Sequence, residues 1–410
     1  MFKFQIIAST ILLAFTSCNS GINDANKEEA IGNETPGQPV ESRPPDVGYK
    51  PAFQGQTRVA GVRTSTPYET KVITDNLTKP WGIAALPDGR FLISEKGGSF
   101  RIVSVNGQVS DKITGTQNVE EKGQGGLLGV SLDPDFSTNR TIYWAFTEKR
   151  KNGNGTSVGK GVLSADERSL ENVQVIYRVM PTYEGNLHYG GRMVFSKDGN
   201  LFLATGDRFK KERRRHAQEL NSGLGKIILI NKDGKPVGGT TTSGAGGNAE
   251  IYSYGHRNVQ GIAFHPETGD LWVAEFGPLG GDELNVVEQG KNYGWPIISY
   301  GLEYNSDTIG NGITQQEGLE QPVYYWDPVL SPSGMTFYKG SAIPEWKNNL
   351  FIAGLNSHHI ARLVLENRKV IGEERILADQ QQRFRHVIEG NDGALFAITD
   401  EGRLYRIGKK

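Results

Sequence analysis

Cysteine is almost missing: Cys18 is the only one in 410 residues. An intramolecular disulfide is therefore excluded, and so are the zinc sets built on paired thiolates. A surplus of one charge is missing as well. Lys and Arg number 45 against 46 Asp and Glu, for a formal charge of −1, which removes any bulk electrostatic case for nucleic acid. Helical patterns are scarce. The clearest is the basic, polar KKERRRHAQELNSG at 210–223, which reads as a solvated insertion. EF-hand spacing is absent, and His358 and His359 are adjacent rather than spaced as zinc ligands. The only long apolar run is N-terminal and too short for a comfortable membrane span.

That run has the layout of a signal peptide over 1–17: Lys3, apolar residues to Phe15, then small Thr16 and Ser17 before Cys18. A cysteine at the expected cleavage point resembles a bacterial lipoprotein signal, with Cys18 as the lipidated first residue. The other reading is an ordinary signal with an incidental cysteine, but a leftover thiol in an exported chain is a liability. Lipidation implies export to the bacterial cell envelope, in the periplasm or on the outer membrane, with the anchor as the sole membrane contact. Residues 18–55, rich in Asn, Glu, Gly and Pro, read as the lipidated cysteine and a flexible linker.

Glycine, by contrast, is abundant at 53 residues, as suits many short strands joined by tight turns. Through 56–410 a turn, often Asp-Gly, precedes a short apolar strand: PDGRFLISE (87–95), KDGNLFLATGD (197–207), ETGDLWVAEFG (267–277) and NDGALFAITD (391–400). Asp-Gly between such runs signals a hairpin. Recurring hairpins predict an all-β domain. Radial repetition, as in a propeller, closes many short strands without long open edges. Insertions at 149–187, 208–223 and 301–325 make the period irregular, so spacing alone leaves propeller, sandwich and barrel open.

Five stretches could carry chemistry. In LHYGGRMVF (187–195) running into LFLATGD, His188 and Asp207 stand at opposite ends of a hairpin and could meet. A carboxylate on one imidazole nitrogen frees the other to take a proton near neutral pH; the same residues also read as a structural loop histidine and a turn aspartate. In KGQGGLLGVSLDPDF (122–136), Gln124 sits among glycines that let backbone approach a ligand, or that merely lead into a strand. In YGHRNVQG (254–261), Arg257 and Asn258 offer a planar cation and an amide to an oxygen-rich, anionic partner. EFGPLGGDELNVVEQGKNYGWP (275–296) exposes the Gly277 and Pro278 carbonyls near Asp282, Glu283 and Tyr293, oxygens of the kind calcium takes. In QRFRHV (382–387), strand periodicity puts Arg383 and Arg385 on one face and Phe384 on the other. Two arginines on one face attract a carboxylate or phosphate, or are simply solvated.

Together these pieces, with KPWGIAALPDGRFLISE, HYGGRMVF, GHRNVQGIAF, NYGWP and RFRHV in one order over most of 70–408, resemble the soluble quinoprotein glucose dehydrogenases and the related aldose sugar dehydrogenases. The resemblance implies a six-bladed β-propeller using pyrroloquinoline quinone (PQQ) and calcium. It makes His188 the base for the sugar's anomeric hydroxyl, oriented by Asp207, and puts Gln124 beside substrate and cofactor. It gives Arg257 and Asn258 the quinone oxygens, with Arg257 sharing in catalysis, and gives Arg383 and Arg385 the PQQ carboxylates. Gly277 and Pro278 would hold calcium through their carbonyls, Glu283 and Tyr293 a second, structural calcium, and Trp326 would form an aromatic wall. An aldose is the implied substrate and a cytochrome or quinone the electron acceptor. Two places depart. Asn356 in LFIAGLNSHH stands where glucose dehydrogenases of this family have a PQQ-binding lysine, and RFKKERRRHAQELN replaces a glutamine-bearing loop that shapes the sugar site. The second departure favours a broader aldose oxidiser. Two other functions remain open on the sequence: a calcium-dependent lactonase, which would want several acidic and amide side chains on one ion, and a non-catalytic lipoprotein that binds a glycan or protein.

Overall fold

Glycines in the left-handed region set the strand spacing. In PDGR, Gly89 takes φ 87°, its N–H donates to Leu86 O at 3.0 Å, and Leu86 N–H donates to Arg90 O at 2.8 Å. Gly199, at φ 76°, makes the equivalent turn between two strands further along the chain. A side chain bearing Cβ is strained there, which is why the Asp-Gly pairs recur.

The computed structural model describes residues 37–237 and 246–410, so the signal segment and Cys18 lie outside the described residues. The strands form six antiparallel sheets in a ring, a six-bladed β-propeller, as the resemblance implies. The inner strands, in chain order, are Pro80–Ala85, Leu127–Leu132, Met193–Phe195, Val259–Phe264, Pro332–Phe337 and Phe384–Glu389. Tyr68–Thr74 pairs antiparallel with Leu404–Lys409, from Tyr68 opposite Lys409 to Thr74 opposite Leu404. The first strand thus completes the last blade and closes the ring, leaving no open seam between the chain ends.

Hydrophobic cores lie between neighbouring blades. Phe91 and Ile93 of the first blade pack with Phe396 and Ile398 of the last, the Phe91 and Phe396 rings 4.2 Å apart. Each second strand is therefore covered on both faces. That explains why FLISE, LWVAE, LFIAG and LFAIT are nearly continuous apolar runs, fully buried along their length, and not alternating ones.

Two segments differ from the sequence expectation. Residues 37–55, expected as part of the flexible linker, run along the fourth and fifth blades. The Asp327 carboxylate accepts the backbone N–H groups of Asp46 (2.6 Å), Val47 (3.1 Å) and Gly48 (2.9 Å), and Glu41 pairs with Arg375 at 2.7 Å. Replacing Asp327 by alanine leaves three N–H groups without their acceptor, each loss worth about 1 kcal/mol. Limited proteolysis and hydrogen exchange should then show residues 44–50 opening faster, with the melting of the propeller little changed. Unaltered protection of that segment would refute the clamp.

The second is the basic stretch at 210–223. It forms a short 3-10 helix, Lys211–Ala217, and buries Arg213, Arg214 and His216 while Lys210, Lys211 and Arg215 stay exposed. Aromatic faces and a carboxylate outweigh hydration. The Arg213 guanidinium lies 4.5 Å over the Tyr183 ring, and Arg214 lies 5.1 Å over Trp295 and pairs with both oxygens of Glu303. The insertions at 208–223 and 301–325 are thereby tied to each other.

Candidate active site

One rim of the ring collects the starts of the inner strands and the ends of the second strands. His188 belongs to the loop before Met193–Phe195, and Asp207 follows Leu201–Ala204. The two meet: His188 Nδ1 lies 2.7 Å from Asp207 Oδ1. Gly206 makes this possible, because a Cβ there would stand 2.4 Å from His188 O. His188 itself has φ 51°, a left-handed conformation that costs a side-chain-bearing residue about 1–3 kcal/mol. Its surroundings hold it there. Its N–H donates to Gln124 Oε1 at 2.8 Å, and the Phe209 ring meets its imidazole edge-on at 5.0 Å.

Asp207 is bonded on every side. Besides His188, it accepts Phe209 N–H at 2.8 Å on Oδ1 and Trp295 Nε1–H at 2.9 Å on Oδ2. Burial pushes its carboxyl up, but His188, Arg257 and the Phe209 N–H outweigh burial and hold it below the ordinary aspartate value. An ionised Asp207 fixes the proton of His188 on Nδ1 and leaves Nε2 as a lone-pair acceptor. Burial, then the Arg257 guanidinium, push His188 below the ordinary imidazole value against the opposing pull of Asp207. The imidazole is thus neutral, and basic at Nε2, at neutral pH.

Arg257 and Asn258 lead into the fourth inner strand. Arg257 N–H donates to Glu275 Oε2 at 2.7 Å, and the guanidinium Nη1 donates to Gly277 O at 2.6 Å and Phe276 O at 3.1 Å. Among the described residues its buried Nε has no partner. Asn258 Oδ1 accepts Gly190 N–H at 3.1 Å. The neighbouring His256 is a strut: fully buried, it bonds Glu275 and Ser253 and stacks on Tyr293 at 4.7 Å.

A cavity of about 310 Å³ opens beside these residues, and Gln124, Asn258, Arg383 and Arg385 line it. Phe384 faces the core, as strand periodicity requires, and both arginines turn to Asp400: Arg383 Nε at 3.1 Å, Arg385 Nε at 2.7 Å and Nη2 at 2.9 Å. Lys96 also lines the cavity, so three cations face one anion, a formal charge of +2. Cavity and His188 are linked through Gln124, which lines one and accepts the backbone N–H of the other.

The proposed metal ligands divide. Gly277, Pro278 and Glu283 share a small void with Arg257 and Trp295. Burial, then Glu275, push the Glu283 carboxyl well above the ordinary value. Tyr293 is not brought there: its hydroxyl donates to Val286 O at 2.7 Å and accepts Glu288 N–H at 2.9 Å. Among the described residues no group of three or more His, Cys, Asp or Glu forms a metal cage. Trp326 is not a pocket wall either. It lies in an outermost strand, packs edge-on against Tyr324 at 5.0 Å, and its indole N–H points to Glu373. A strand that far from the axis cannot reach the cavity, whose aromatic walls are Trp81, Tyr189 and Phe276. Residues that sequence reasoning passed over are Lys96, Asp400, Trp81, Phe209 and Trp295. All but Lys96 sit inside stretches quoted above: Trp81 in KPWGIAALPDGRFLISE, Phe209 in RFKKERRRHAQELN, Trp295 in NYGWP and Asp400 in NDGALFAITD, while Lys96 directly follows FLISE.

Comparison with known proteins agrees with the six-bladed fold. The family described as Glucose / Sorbosone dehydrogenase matches over residues 77–406. The chain is 38% identical over 346 residues to the aldose sugar dehydrogenase YliI of Escherichia coli strain K12, covering 83% of this chain and 92% of that one. Among solved structures, the apo-form of the soluble aldose sugar dehydrogenase from Escherichia coli superposes with a TM-score of 0.79 at 37% identity, over 84% of this chain and 100% of that one. The PQQ-bound form of the Streptomyces coelicolor aldose sugar dehydrogenase gives 0.70 at 27% identity, over 85% and 100%.

Proposed function

The chain belongs to the glucose/sorbosone dehydrogenase family and is an oxidoreductase, and from that premise we propose that it oxidises the anomeric C1 hydroxyl of aldose sugars to lactones with PQQ and calcium. The observation that carries this reading is the neutral, Asp207-oriented His188 beside a cavity of formal charge +2. PQQ is a flat tricarboxylate, and the Arg383–Arg385 pair, Lys96, Gln124 and Asn258 fit it in charge and hydrogen-bonding capacity. When bound, PQQ supplies the two-electron oxidant.

The protein's part is proton handling and positioning. His188 Nε2 takes the proton of the C1 hydroxyl as the C1 hydrogen leaves with its electron pair, so the C1–O bond becomes the lactone carbonyl. Asp207 stabilises the imidazolium that forms, and Trp295 and the Phe209 N–H keep Asp207 in place. Arg257 supplies fixed positive charge where oxygen charge develops. For calcium, the Gly277 and Pro278 carbonyls with the Glu283 carboxyl are hard oxygen donors, and the ion would act there as a Lewis acid. Arg257 Nη1 holds Gly277 O through one lone pair, and a carbonyl oxygen keeps a second for the ion. The same reading keeps the envelope location through a lipid anchor on Cys18, supported by the apolar run ending there, and a cytochrome or quinone as acceptor.

The deciding experiment mixes the purified chain with PQQ and calcium, follows the PQQ absorbance, and assays dye reduction across a panel of aldoses. We expect an absorbance change and turnover on several sugars. No spectral change and no turnover would leave the glycan- or protein-binding propeller as the better account.

A further inference from the structure

Asn356 follows Leu350–Gly354 and is exposed, while its neighbour Leu355 lines the cavity. The fifth blade therefore brings no cation to the cavity. The first blade does. Lys96 follows Phe91–Glu95 and reaches the cavity on the other flank of the arginine pair, which the sixth blade carries between them. Its ammonium donates to Gly123 O at 2.7 Å. Among the described residues it has no carboxylate partner. The nearby Glu121 is taken by Lys79 at 2.7 Å, and Asp400 is shared by the two arginines. An ammonium has three donors, so two remain for a ligand. The group is half-buried, and burial and then the neighbouring Arg385 push it below the ordinary lysine value, as expected of a cation awaiting an anion.

We propose that Lys96 is a further carboxylate-binding residue of the cofactor site, held in place by Gly123 O and supplying from the first blade the cationic contact that Asn356 does not supply from the fifth. This inference rests on the PQQ reading above. It explains how a site lacking that lysine keeps three cations for a tricarboxylate.

The test measures PQQ binding to the full chain by calorimetry and fluorescence quenching, without sugar or dye, for the unaltered protein and for Lys96→Met, Lys96→Gln and Lys96→Arg. Losing one charge-assisted contact should weaken binding about 10- to 100-fold in Met and Gln, with a shallower dependence on salt. Lys96→Arg should bind within a few-fold of the unaltered chain. Lys96 is half-exposed, and equal melting temperatures confirm that the variants fold. Unaltered protein that binds no PQQ would overturn the function and this inference together. Unaltered protein that binds PQQ, with Met and Gln equal to it or with Arg as weak as Met, would overturn the role of Lys96 alone.

Discussion

Replacing His188 by alanine is expected to lower aldose turnover by about 10²–10⁴-fold, the usual contribution of a positioned general base, while the chain still binds PQQ. The cavity lining does not include the imidazole, so the cofactor contacts survive. The pH profile separates this role from a merely structural one. On the proposed mechanism His188 acts in its neutral form, so kcat/KM should fall as pH drops through its pKa. That pKa lies below the ordinary 6.5 because burial and Arg257 outweigh Asp207. Asp207→Asn removes the anion that raises it, and the acid limb should then move to still lower pH. The plateau should fall as well, because an amide no longer fixes the proton on Nδ1. An acid limb that moved to higher pH in Asp207→Asn, or full turnover in His188→Ala, would show that another group takes the proton.

Much of this site was legible because strand ends can be read locally. His188 with Asp207, and Arg383 with Arg385, are each fixed by one hairpin or one strand, so period and turn chemistry place them. Lys96, Asp400 and Trp81 escaped notice for a different reason. Each ends or begins an ordinary-looking strand, and only closure of the ring turns those ends toward a common centre. The sequence pattern holds the information in a form visible after the fact: in four of the six blades the residue beyond the second strand, Lys96, Phe276, Leu355 or Asp400, lines the cavity. Trp326 was assigned to the pocket wall by the family resemblance alone, whereas its place in an outermost strand depends on how many strands the blade has. The burial of Arg213 and Arg214 was equally hidden. It depends on Tyr183, Trp295 and Glu303, which are distant in sequence.

Arg192 is where the fold and the site depend on one side chain, and its removal should cost about 2–4 kcal/mol of stability. It is buried near the axis, with no carboxylate partner among the described residues. Nε donates to Gln260 O at 2.9 Å, Nη1 to Trp81 O at 3.2 Å and His386 Nδ1 at 2.9 Å, and Nη2 to Arg385 O at 2.7 Å and Ser333 Oγ at 3.4 Å. The guanidinium also lies 3.9 Å over the Trp81 ring. One cation from the third blade thus ties the inner strands of the first, fourth, fifth and sixth. Because His386 Nδ1 accepts, that imidazole must be neutral, and burial and Arg192 both hold it so. Two effects oppose each other in Arg192→Met. Buried acceptors left empty cost about 1–3 kcal/mol each, while removing an uncompensated buried cation recovers several kcal/mol of desolvation. Several acceptors and the ring contact against one charge decide for net destabilisation. Arg192→Lys should not rescue it, since a single ammonium cannot reach four blades at once. Denaturant unfolding of both variants measures the difference. Trp81, Gln260 and Arg385 also line the cavity, so PQQ affinity should fall in parallel. If Arg192→Met proved as stable as the unaltered chain yet bound PQQ poorly, the charge would be serving the cofactor's carboxylates and not the ring.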